Sequence, residues 1–200
     1  MTKQLDREKD RARIRQAFGE FFDEKPGKKK IKLNMDDHQE RFAEQVKILK
    51  ALFEAPERKA TFIPMIIAFN QYNEVIVLGV PAMNNEESKN RVEQIILALI
   101  EEGVSAVIFV GEAWMRVGMS KQEVQNYVPG SIAAHPERIE VLHAVYSCAI
   151  GEICGVAKIE RPTQQKPHLG EWNYQRIENM GEGRFMNLWK KVRGRHATEN

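Results

Sequence analysis

An α+β domain is the fold class that this sequence predicts: a largely antiparallel sheet of about five strands with two main helices on one face. A separate N-terminal helix and a wrapping C-terminal segment complete the expectation. Three observations carry it. Residues 36–56 and 86–102 repeat apolar side chains every three or four positions, the spacing of an amphipathic helix. Residues 60–69 with 74–80, and 141–150 with 153–160, are rich in Val, Ile and Phe and flank turn signals, so each pair reads as a hairpin. Residues 104–110, Val-Ser-Ala-Val-Ile-Phe-Val, follow Gly103 with almost no loop and read as a buried strand.

In chain order, residues 4–24 form the first helix, with Ile14, Ala17, Phe18, Phe21 and Phe22 among many charges. Pro26 and Gly27 end it, and the lysine run that follows reads as a flexible linker. The second helix is capped by Asn34 or Asp36, with Asp36, Asp37 and Glu40 at the positive end of its dipole. Phe42, Val46, Leu49 and Phe53 face the core, and nothing on this helix suggests chemistry. Asn70-Gln-Tyr-Asn73 is the turn of the first hairpin, and Pro64 makes its first strand an edge or a bulge.

The third helix is capped by Asn84 or Asn85 and stopped by Gly103. Helix and strand in this order predict a crossover that makes one parallel pair. In the last hairpin, Gly151-Glu152 as a type II′ turn pairs Ile150 with Ile153 and sets His143 opposite Glu160. Cys148 and Cys154 then fall on opposite faces, so no disulfide joins them. Residues 171–179 and 184–192 read as short helices that wrap the body. The domain organisation expected is a helix and basic linker over 1–31, a core over 32–161 and an extension over 162–200.

The 200 residues and 42% apolar content suit one ordinary core. No apolar run is long enough to span a bilayer, so no membrane role is expected, and the charged start shows no secretory signal. Two cysteines without a disulfide framework fit a reducing cytoplasm. Residues 1–31 and 161–200 each carry an excess of four positive charges on a body that is negative by six. Basic ends of this kind either bind nucleic acid or an acidic partner, or are simply solvated.

No phosphate loop, dinucleotide fingerprint, zinc-helix motif or paired-cysteine motif is present, so no cofactor is expected. Ser147 near His143 and Glu160 lies on a flat strand face with no oxyanion hole, which excludes a triad. The polar residues that cluster in the sequence are Glu112, Trp114, His135, Glu137, Arg138, Glu140, His143 and Glu160. Glu112 ends a hydrophobic strand, where ligand sites gather if the sheet has parallel character. Glu112 and Arg138 are expected to form a bidentate clamp across the long loop 116–135. Glu112, His135, Glu137 and His143 could instead hold a divalent metal and activate water as a hydrolase. A helical turn is expected over 121–127.

Residues 107–114, VIFVGEAW, followed by residues 135–142, HPERIEVL, resemble a pattern in small proteins of bacteria and their phages. The resemblance covers about a quarter of the chain and implies no activity. It implies that Glu112, Trp114, Pro136, Arg138 and Glu140 belong to one unit. The leading expectation is a non-enzymatic binding or assembly protein of the bacterial cytosol that forms a homo-oligomer, because both terminal stretches carry apolar residues that need a covering surface.

Overall fold

The computed structural model describes all residues except 1, 56–61, 81, 82, 84, 120, 121, 123–125, 127–130, 164, 165, 178–184, 186, 199 and 200. The fold is α+β, built on one six-stranded sheet in the order β2-β1-β3-β4-β5-β6. The strands are β1 (Met65–Phe69), β2 (Val75–Gly79), β3 (Ala106–Met115), β4 (Ile139–Cys148), β5 (Gly151–Glu160) and β6 (His168–Ile177). The helices are α1 (Thr2–Phe22), α2 (Met35–Glu54), α3 (Glu86–Glu101) and α4 (Leu188–Thr198), with a short 3-10 turn at Ser131–Ala134.

Local chemistry sets the helix ends. Asn34 Oδ1 accepts from the backbone of Asp36 and Asp37 at 2.8 and 3.0 Å, and Asp37 accepts from Asn34 N in return. Asn85 and Ser88 build the same box at the start of α3. Gly103 ends α3 at φ 100°, a conformation that other residues rarely adopt. The first hairpin turns through Asn73 at φ 64°, as an asparagine-rich turn should.

Every strand pair is antiparallel. The expected parallel pair is absent because α3 carries the chain past β1, whose free edge then takes β3 in the antiparallel sense. The two main helices also do not share a face. Phe42, Val46, Leu49 and Phe53 of α2 pack on Ile67, Phe69, Ile108, Tyr146 and Ile153. Val92, Ile96 and Leu99 of α3 pack on the alternate residues Ile66, Ala68, Val107 and Phe109, together with Ile14 and Phe21 of α1 and Leu188 and Val192 of α4. Successive strand residues point to opposite faces, so the sheet is sandwiched between α2 and the other helices.

The last hairpin differs from its expected register. Tyr146 pairs with Ile153 and Cys148 with Gly151, so Ala149-Ile150 is the turn. Neither turn residue has a positive φ, and Gly151 instead admits Met35, whose Sδ would lie 3.0 Å from a Cβ there. The shift is even, so each residue keeps its expected face, and both cysteines are free. Residues 168–177 form a strand where a helix at 171–179 was expected. A bulge between Ala157 and Ile159 changes which residues of β6 face α2. Of the helix expected at 184–192, residues 188–192 are helical, in α4, which runs on to Thr198, and the turn expected at 121–127 lies largely outside the described residues.

Candidate functional site

The residues singled out by sequence separate into distinct places. Glu112, Trp114 and Glu140 share the α2 face at the far end of β3 and β4, where Trp114 is paired with Glu140. Arg161, which sequence reasoning overlooked as a partner, joins them from the end of β5. Its Nε and Nη2 donate to Glu140 at 2.7 and 2.8 Å, and Nη2 lies 3.6 Å from Glu112. This carboxylate pairing holds the Arg161 guanidinium more firmly protonated than usual. Glu112 Oε1 also accepts from Phe62 N at 3.2 Å. Arg138 does not clamp Glu112; its guanidinium stacks 4.7 Å from the centre of the Trp114 ring. The clamp across the loop is therefore made by Arg161, and Glu112 lies within β3 rather than at a parallel strand end. Alternation along 153, 155, 157 and 159 already placed Arg161 on the face of Glu112, and that was the available signal.

His143 sits on the other face, opposite Val156 rather than Glu160. Burial depresses its basicity. Glu160 instead accepts from His168 Nε2 at 3.0 Å on an exposed stretch of β5 and β6. His135 Nδ1 accepts from Glu137 N within its own turn, and Glu137 reaches Arg116 at 3.5 Å. Glu112 and His143 thus lie on opposite sides of the sheet. Among the described residues no three His, Cys, Asp or Glu side chains converge as metal ligands would. Ser147 Oγ donates to the buried Glu152 at 2.8 Å.

The basic linker is tied to the first hairpin. Lys25 and Lys28 pair with Glu74 at 2.5 and 2.9 Å, and Ile31 N donates to Gln71 O at 2.8 Å. The two lysines and Asn70 lower the Glu74 pKa to about 2. Asn70 is the hub beneath. Its Nδ2 donates to Phe21 O and Glu74, and its Oδ1 accepts from Tyr72 N and Glu74 N.

A second polar group, missed in the sequence, lies under α2. His38 Nδ1 is 2.5 Å from the hydroxyl of the fully buried Tyr146. Arg41, 8% exposed, stacks 4.7 Å over Phe69. Its Nη1 is buried with no hydrogen-bond partner, and no carboxylate among the described residues pairs with it. Burial and the nearby Arg41 charge lower the His38 pKa, and burial raises that of Tyr146. Both His38 and Arg41 line a cavity of about 250 Å³. The signal was their place on the buried stripe, His38 four residues ahead of Phe42 and Arg41 eight, about two turns, ahead of Leu49.

The two sheet edges differ in what they expose. Val75 and Val77 of β2 are 45% and 59% exposed and point to the α2 face, since their partners are Phe69 and Ile67. Ile63 lies beside them, 3.7 Å from where a Gly79 Cβ would be. Ile48 and Leu52 are exposed on the flank of α2 that carries Arg41 toward β1. The opposite flank is bonded to β6, through Gln39 to Arg176 and Glu54 to Leu169 N. Among the described residues no helix covers Val75 and Val77, which with Ile63 make an apolar shelf at the β2 edge. No helix among the described residues is long and apolar enough to cross a membrane.

No protein-family model matches the chain. Neither the curated proteins nor the solved structures contain a match to it.

Proposed function

We propose that this chain is a non-enzymatic assembly protein that pairs with a second copy of itself through the β2 edge. The observation that carries the reading is the exposed Ile63, Val75 and Val77 at the β2 edge, with Ile48 and Leu52 exposed on the flank of α2, five of the ten large apolar side chains that stand exposed among the described residues. Apolar exposure along an open sheet edge marks an interaction surface. An open strand with unpaired backbone groups is a template for another strand.

The partner favoured is a second copy, on grounds of charge. A two-fold contact sets a surface against itself, so any charge near the axis meets its own sign. Val75-Ile-Val-Leu-Gly79 carries none, and Glu74 beside it is already neutralised by Lys25 and Lys28. Antiparallel β2–β2 pairing would extend the sheet and bury both shelves. The polar cluster at the other end is occupied with its own pairings, which fits a structural role for Arg161, Glu112 and Glu140.

Sedimentation equilibrium tests this. At roughly 100 μM the chain is expected to show about twice its 23.1 kDa mass, and Val77→Lys to return it to a monomer. The exposed position makes the folding cost of that substitution small, within about 0.5 kcal/mol. A wild-type chain that stays monomeric at this concentration rules the reading out.

A further inference from the structure

From the unmatched charge beneath α2 we infer that the cavity beside Arg41 is a binding site for a small organic monocarboxylate. The proposal is independent of dimer formation. Arg41 is more than nine-tenths buried, lines the cavity, and pairs with no carboxylate among the described residues. A buried cation without a counter-charge is strongly disfavoured, so a site of this kind is completed by an anion. A guanidinium presents paired donors whose geometry matches a carboxylate.

The walls select the class. Among the described residues no Asp or Glu lines the cavity, and Lys32 stands exposed at its rim, so the local field favours a negative guest. Ile31, Leu33 and Ile150 supply apolar wall, which suits the hydrocarbon part of a carboxylate better than a fully hydrated phosphate. The imidazole of His38, held by Tyr146 through Nδ1, offers a second polar contact through the rest of its ring. About 250 Å³ is room for a metabolite of a few carbons, and too little for a nucleotide.

The test is a thermal scan of the full chain, dialysed into chloride buffer, with butyrate, benzoate, butyramide and inorganic phosphate at equal ionic strength. Butyrate or benzoate is expected to raise Tm in proportion to the logarithm of its concentration above Kd, by roughly 3–5 °C at ten times Kd. Butyramide and phosphate are expected to leave it unchanged. Arg41→Met should abolish the rise. Because that variant alters a buried group, Ile150→Trp serves as the second arm: it fills the mouth from an exposed turn and should also abolish the rise. Three outcomes overturn the assignment: no rise with either carboxylate, an equal rise with phosphate, or a rise that survives Ile150→Trp in the folded protein.

Discussion

The two edges of the sheet are built from opposite materials. The β6 edge is covered and polar. Phe42 of α2 descends so far that a Cβ on Gly155 would lie 2.8 Å from its ring, and Trp172 closes on the same glycine. Tyr174 stacks edge-on against Phe42, and Arg176 reaches back to Asp36 and Gln39. A bulge and alternating polar residues discourage any further strand. The β2 edge is short, uncharged and bare on the same face. Its hairpin is held on this face through β1, whose Ile67 and Phe69 join the α2 core, and at its turn by the hydrogen bonds of Asn70, while Val75 and Val77 of β2 stay exposed. The β6 edge of this face thus depends on packing under α2, and the β2 edge on its neighbour β1 and a polar hub. The unpacked half keeps its apolar surface for something else.

The largest effect should come from breaking the packed half. Phe42→Ala removes a fully buried ring that fills the space above Gly155. The expected loss is about 3–5 kcal/mol, read by urea unfolding. Hydrogen exchange should show β6 released before β1 and β2. Uniform loss of protection across the sheet would mean that the two halves are one cooperative unit, and the contrast would fall.

The converse substitution is Asn70→Ala. It strips the donors and acceptors that bind Phe21 O, Tyr72 N and Glu74 N together. About 2–3 kcal/mol is expected, since buried polar groups lose their partners. Exchange should rise first at residues 25–31 and 70–75, with β6 unchanged. If β6 opened equally early, the hub would not be local to the β2 side.

The same contrast explains what could be read from the sequence. The first hairpin was legible because asparagines advertise their turn, and Asn73 indeed takes the left-handed conformation. The faces of β4 and β5 were legible even though the register was not. Alternation depends only on parity, and the register differs by an even number of residues. β6 was not legible. Leu169 faces α2 before the bulge and Trp172, Tyr174 and Arg176 after it, so the period of two is interrupted inside the strand. The polar cluster was found in the right stretch, but its partners were misassigned. A guanidinium reaches several neighbours, and only the fold decided that Arg138 meets Trp114 while Arg161 meets the carboxylates. His38 and Arg41 were hidden because a helical stripe that includes Phe42, Leu49 and Phe53 reads as core, and polar residues beside it read as flank.

The smallest effect is a pH dependence, and it asks which half His38 supports. His38 ties α2 to Tyr146 in the central strand β4, and its folded pKa lies below the ordinary value because of burial and Arg41, with Asp37 opposing. Above the unfolded pKa, about 6.5, both states are neutral at this residue and pH has no effect through it. As pH falls below that value the unfolded chain takes up the proton first, so stability declines until the folded pKa is passed. The slope for one such proton is at most about 1.4 kcal/mol per pH unit. His143, also depressed by burial, adds a decline of the same sign from the opposite face. His38→Asn, which keeps an acceptor for the Tyr146 hydroxyl, should flatten its share of the decline between pH 7 and 5. If α2 serves the β6 half, exchange at pH 5 should rise at 168–177 in the wild type and not in the variant, while 65–79 stays protected in both. Equal loss at 65–79 would show that α2 steadies both edges, and that the bare shelf above β2 is held in place by the same helix that covers β6.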